Sequence, residues 1–262
     1  MRKICFCVLL GLLFSCTSKD DDTVNDNLVV GWSNVVYQPE LTRVVAVRNN
    51  NVLVRGSFPI DARSNFVYDQ IFSVVQAKVP SVNFSNHVII DVSMIDNVQN
   101  AEWPQLQQEL KVFSLADNAI PSDWPPYKIG YTAKLLGQKV CGHPGRFHWW
   151  PIEGFNPSMP WEQKVGQFFT NNGYNNQPGG YNFNGLVDRL DSLLNDASYP
   201  KVIYYHCTWG KDRTGALTFG WLVKHGGYTK EAAISAVDSV FVPNDHYSGM
   251  ISDYWTWLFN SL

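Results

Sequence analysis

The stretch that most constrains this chain is KVIYYHCTWGKDRTGALTFGWLVK, residues 201–224. Lys201-Val202-Ile203-Tyr204-Tyr205 is a short apolar run suited to a buried strand. Thr214 to Lys224 reads as a helix that Gly226-Gly227 stops. Residues 206–213 are all that joins them. A strand that passes through one tight loop into a helix belongs to a layered α/β arrangement, in which helices cover a sheet.

The rest of the chain alternates in a compatible way. Arg43 to Val47 and Val52 to Arg55 are β-rich and flank Asn49-Asn50-Asn51, which reads as a hairpin turn. Phe66 to Ala77 has Phe66, Val67, Ile71, Val74 and Val75 near helical spacing. His87 to Val92 is a second buried-strand run, and 103–115 fits neither pattern cleanly. Residues 121–161 are rich in Pro, Gly and Trp and read mostly as loop, with a short helix over Trp161 to Phe169. Residues 171–184, NNGYNNQPGGYNFN, carry no helix or strand signal and read as either a lid or a surface excursion. Leu186, Val187, Leu190, Leu193 and Leu194 form a helical stripe, and helices are expected again over Thr229 to Val240 and Ser248 to Leu262. The expected fold is α/β, a central mixed sheet flanked by helices in one domain over residues 31–262.

The first thirty residues are of another kind. Arg2 and Lys3 precede an apolar run over Ile4 to Phe14, too short to span a bilayer as a mature helix. Leu13-Phe14-Ser15-Cys16 resembles the lipobox of bacterial lipoproteins. That resemblance implies a signal peptide over residues 1–15, cleavage before Cys16, acylation of its thiol and a lipid-anchored protein of the cell envelope. The polar residues 16–30 would be the tether. Cleavage removes Arg2 and Lys3 and takes the net charge from −3 to −5, which gives no support for nucleic-acid binding. Of five cysteines, Cys5, Cys7 and Cys16 belong to the leader, leaving Cys141 and Cys207 in the body. Two distant cysteines make no disulfide framework, so Cys207 needs another reason. Cys141 reads as a small buried side chain.

A loop closing onto a helix N-terminus turns backbone N–H groups toward one point, and the helix dipole adds positive potential there. Cys207 opens that loop. Its thiolate form is favoured by such a field and is a strong nucleophile. Arg213 closes the loop with a planar fork that holds two oxygens of a phosphoryl group. Gly210 permits a backbone conformation other residues resist. Thr214 puts a hydroxyl near the thiol, and His206 can fix the loop through its ring nitrogens.

The segment His206-Cys207-Thr208-Trp209-Gly210-Lys211-Asp212-Arg213-Thr214-Gly215 resembles the H-C-x-x-G-x-x-R-[ST]-G signature of cysteine-dependent protein tyrosine and dual-specificity phosphatases. Val54-Arg55-Gly56-Ser57-Phe58-Pro59 looks like the arginine motif that opens many bacterial phosphatase domains. The resemblance implies a phosphatase-like fold, attack by Cys207 on phosphorus, a phosphocysteine intermediate, and a site lined by Thr208, Trp209, Gly210, Lys211 and Thr214. It implies no cofactor and no metal. His143, His148, His225 and His246 show no metal-ligand spacing.

The leaving oxygen needs a proton, and the chain offers more than one donor. Phe147 to Phe155 resembles a Trp-Pro-Asp acid loop but has Ile152 where Asp is expected and Glu153 one place later. Asp212 stands where phosphatases with G-K-D-R loops carry a proposed acid; Asp123 reads better as a turn or cap residue. Lys211 adds charge beside the phosphate site, as in inositol-phosphate phosphatases. Three functions follow: a phosphatase of phosphorylated proteins, a phosphatase of inositol phosphates or phosphoinositides, or a phosphatase fold reused as a surface binding module rich in Trp and Tyr.

Overall fold

A computed structural model of the chain describes residues 35–83, 85–95, 102–113, 136–140, 143–150, 183–238, 258–260 and 262. Their six strands are β1 (Arg43–Arg48), β2 (Asn51–Gly56), β3 (Val88–Ser93), β4 (Leu136–Val140), β5 (His143–Trp149) and β6 (Lys201–His206). They form one sheet in the order β1-β2-β6-β3-β5-β4. The central strands β2, β6, β3 and β5 are parallel, and β1 and β4 pair antiparallel at the two edges. The helices are α1 (Tyr68–Lys78), α2 (Trp103–Val112), α3 (Phe183–Asn195), α4 (Asp212–Lys224) and α5 (Lys230–Asp238). The mixed sheet flanked by helices is the expected α/β class.

Alternation along the strands divides the core in two. Leu53, Ile90, Val92, Ile203 and Tyr205 point to the face covered by α3, α4 and α5, meeting Leu186, Val187, Leu190, Leu217 and Phe219. Val52, Val54, Ile89, Val202 and Tyr204 point to the other face, against Ile71, Phe72 and Val75 of α1 and Leu106 and Leu110 of α2. All six residues of β6 are buried because the strand has neighbours on both edges and helices on both faces.

The hairpin turn is where the sequence places it. Asn49 and Asn50 have φ of 50° and 64°, the left-handed pair that a two-residue turn between twisted strands requires. Thr229 caps α5, its hydroxyl accepting from the Ala232 N–H at 3.2 Å.

Two stretches hold elements that the sequence did not announce. Residues 121–161, expected mostly as loop, contain β4 and β5. β5 is held by parallel pairing along β3, from Ile89↔Gly145 to Ser93↔Trp149, and in turn pairs with β4. Ladder partners on both sides outweigh the weak local strand preference of Pro and Gly. The ambiguous 103–115 stretch contains helix α2. Gln105 and Glu109 are buried with Leu106 and Leu110, so its inward face contains polar residues and the apolar stripe is broken. α4 starts at Asp212, two residues before the expected Thr214. The short helix expected at 161–169, residues 171–182 and most of 248–262 lie outside the described residues. Among the described residues no helix is long and apolar enough to cross a membrane.

Candidate active site

β6 delivers Cys207 to the C-terminal end of the parallel strands, and the chain turns through Thr208–Lys211 into the first turn of α4. Cys207 is buried. The turn depends on Gly210, whose φ is +67° and where an added Cβ would lie 2.6 Å from the carbonyl oxygen of Gly56. The C-terminal end of β2 is therefore packed directly beneath the loop. Tyr204 reinforces this junction, its hydroxyl donating to the Ser57 carbonyl at 2.6 Å.

Arg213 folds back under the loop and is buried. Its Nη1 donates to Glu102 Oε2 and to the Met94 carbonyl, each at 2.9 Å, and its Nη2 donates to Glu102 Oε1. Thr208 Oγ1 donates to the same Glu102 oxygen at 2.5 Å. Glu102 thus ties the first part of the loop to its last residue. The Thr214 hydroxyl lies against Cys207: it accepts the Cys207 backbone N–H at 2.9 Å and so pins the start of the loop to α4.

His206 has no solvent exposure. Its Nδ1 lies 3.1 Å from the Cys207 carbonyl oxygen. Its Nε2 lies 2.7 Å from Glu109 Oε1 and 3.2 Å from Asp91 Oδ1, outside hydrogen-bond alignment with either oxygen. Ser93 Oγ donates to the other Glu109 oxygen at 2.8 Å. Desolvation opposes the imidazolium, but Glu109 and Asp91 outweigh it and hold the His206 pKa well above the ordinary value. Burial pushes the Glu109 carboxyl up to about 7 and raises Asp91 as well, both against the pull of His206. His206 thus stands between the Cys207 carbonyl and two carboxylates, one from α2 and one from β3.

Asp91, Glu109 and His206 are also a set of metal-ligand types, with one ligand atom from each lying within 4.8 Å of the others. Tetrahedral bonds of about 2.0 Å would hold neighbouring ligand atoms roughly 3.3 Å apart. The 2.7 Å separation of His206 Nε2 and Glu109 Oε1 is shorter than that and suits an ion pair, not two ligands of one ion.

Of the central residues of the loop, Thr208 and Gly210 are buried. Trp209 is 38% exposed, and Lys211 and Asp212 are partly buried. Asp212 is the first residue of α4, and desolvation raises its pKa against the lowering influence of Arg213 and Lys211. Cys16, Asp123, Cys141 and Glu153 lie outside the described residues.

Asp91, Glu102 and Glu109 are the site residues sequence reasoning missed. Asp91 interrupts the apolar run of β3, and Glu109 sits in the Leu106–Leu110–Phe113 stripe, so a charge inside a core pattern was a readable signal for both. Glu102 gives none.

No family model and no curated protein matches the chain. Solved structures similar to it include human DUSP28, at 13% identity over 86% of this chain and 99% of that one, with a TM-score of 0.35. The human tyrosine phosphatase-like serine/threonine/tyrosine-interacting protein matches at 12% identity over 78% of this chain and 91% of that one, TM-score 0.30. OH1, a tyrosine phosphatase from the Orf virus, matches at 10% identity over 88% of this chain and 90% of that one, TM-score 0.28.

Proposed function

We propose that this chain is a cysteine-dependent phosphomonoesterase of the tyrosine or dual-specificity type. The observation that carries the reading is the meeting of buried Cys207, the N-terminus of α4 and the Glu102-braced Arg213 at the two ends of one loop. In the proposed reaction Cys207 Sγ attacks phosphorus in line. The phosphorus–oxygen bond to the leaving group breaks as the S–P bond forms. Asp212, whose carboxyl desolvation shifts toward the protonated form, gives its proton to the leaving oxygen. Water then attacks the phosphocysteine, its proton returns to Asp212, and inorganic phosphate leaves the regenerated thiolate. Glu102 grips Arg213 through both of its terminal nitrogens, holding the guanidinium charge at the loop, where it would offset the charge of the equatorial oxygens. Glu153 is the alternative acid.

Lys211 favours a second substrate class for the same chemistry. It is partly buried within the loop and close enough to Asp212 to lower its pKa, so a cation stands beside the phosphate position. Inositol phosphates carry neighbouring phosphates that such a cation would pair with.

The test is phosphate release from phosphotyrosine, phosphoserine and phosphothreonine peptides and from inositol phosphates, with wild type and Cys207→Ser. Turnover should fall to background in the serine variant while inorganic phosphate still binds. Normal turnover by Cys207→Ser would sink the mechanism. The proposed anchor is tested separately: Cys16→Ser should move the protein from the membrane fraction to the soluble fraction.

A further inference from the structure

Arg55 is the cation of this region that the proposed reaction does not use. It stands at the end of β2, is 2% exposed, and makes one hydrogen bond, from Nη2 to the Gly210 carbonyl at 2.8 Å. Among the described residues its Nε and Nη1 have no hydrogen-bond partner and no carboxylate pairs with it. Burial lowers its pKa, while Tyr205 and Cys207, in their ionised forms, would raise it. A buried guanidinium with so little compensation works against folding. A core position would be filled more favourably by an apolar side chain.

What Arg55 holds explains its presence. The Phe58 N–H, three residues on, donates to the Thr208 carbonyl at 3.3 Å. The RGSF segment therefore engages two loop carbonyls, Thr208 by a backbone N–H and Gly210 by the guanidinium. In a trans peptide the C=O of one residue and the N–H of the next point in opposite directions. The chain has no cis peptide in the described residues. Drawing the Thr208 and Gly210 oxygens down toward β2 therefore turns the Trp209 and Lys211 N–H groups up, away from β2 and toward the mouth of the loop. Without that pull the Gly210–Lys211 peptide can rotate and present an oxygen to an anion, which repels it.

We propose that Arg55 is a positioning residue of the phosphate loop, holding the Gly210 carbonyl so that the Lys211 N–H, alongside that of Trp209, faces the bound phosphoryl group. The proposal rests on the phosphatase reading and adds a residue outside the loop to it. Arg55 does not touch substrate. It acts through the peptide it orients, and its charge adds to the positive potential below the anion.

The experiment measures inorganic phosphate binding by calorimetry, p-nitrophenyl phosphate turnover, and amide shifts of Trp209 and Lys211 in labelled full-length protein. Wild type, Arg55→Lys and Arg55→Ala are compared. In wild type, phosphate should move the Trp209 and Lys211 amide protons downfield. Arg55→Lys keeps the charge but not the fork, and should bind phosphate roughly 10-fold or more weakly with a near-native melting temperature. Its Lys211 shift should vanish. Arg55→Ala should lose at least as much, and millimolar guanidinium should restore part of its turnover but not that of wild type. Wild-type affinity and shifts in both variants would overturn the proposal. So would unfolding of both, since Arg55 would then be a core residue and not a loop-positioning one. If wild type neither binds phosphate nor turns over substrate, the phosphatase reading itself fails; an active wild type with indifferent Arg55 variants overturns this inference alone.

Discussion

Glu102 grips the guanidinium of Arg213 through both carboxylate oxygens, from the residue that precedes α2. Seven positions later on the same element, Glu109 lies against His206. One helix thus braces both flanks of the loop, His206 before the nucleophile and Arg213 after the turn. The loop's geometry is a property of α2 as much as of its own residues.

Glu102→Ala leaves a buried arginine without its counter-ion. Breaking a buried pair from one side costs about 3–5 kcal/mol, so the urea midpoint should fall accordingly and turnover should fall with it. Glu102→Gln keeps the shape and one acceptor, and should lose less on both measures. Equal stability of the Ala variant and wild type would show that the pair does not support the fold.

The buried His206 cluster sets a pH dependence of stability. Glu109 rises from its ordinary 4.5 to about 7 on folding, and His206 also rises. Between these values the folded protein holds protons that the unfolded chain has released. This contribution is complete below about pH 4.5 and is lost as pH rises through about 7 and beyond. His148, lowered by burial to about 4, acts in the opposite sense up to about pH 6.5, so urea midpoints should decline across pH 6.5, 7, 7.5 and 8. Glu109→Gln removes one titrating group and one of the two carboxylates holding the His206 proton, so its decline should be shallower. An unchanged slope would place the pH dependence elsewhere.

Asp212 is raised by desolvation at the start of α4, the direction a proton donor requires. If it is the acid, wild-type kcat should drop on the basic side as Asp212 loses its proton. Asp212→Asn should lack that limb and be slower by about 10²–10⁴ on substrates with poor leaving groups. A basic limb that persists in Asp212→Asn and disappears in Glu153→Gln assigns the proton to Glu153 instead.

Gly210→Ala meets two obstacles at once, a φ of +67° and a Cβ 2.6 Å from the Gly56 carbonyl oxygen. The left-handed backbone alone costs about 1–2 kcal/mol, and the contact is with backbone that cannot swing aside. The variant should lose both phosphate affinity and turnover, with a lower melting temperature. Retention of full phosphate affinity would mean that the loop binds anions in another conformation.

The parts of this fold that were readable are those whose cause is local. The Asn49-Asn50 turn needs two residues that tolerate positive φ, and it has them. β3, β6, α3 and α5 follow from apolar periodicity and a cap. β4 and β5 were not readable, because Gly137 in β4 and Pro144 and Gly145 in β5 belong to strands only through the ladders of neighbouring chain segments. The α2 helix was obscured because its inward face carries Glu109, and a buried acid looks like a break in the stripe until His206 is set against it.

The same division runs through the site. The amino-acid sequence by itself determined the residues of the loop, Cys207 through Arg213, and their placement between a strand and a helix, because a strand, a glycine turn and a helix start are encoded within a dozen consecutive positions. Only the tertiary structure decided what surrounds them. Glu102, Glu109, Asp91 and Arg55 come from α2, β3 and β2, distant in sequence, and the parallel order β2-β6-β3 brings them under the loop. Partners of a buried charge are selected by proximity in the folded chain, and proximity of that kind leaves no periodic trace in the sequence.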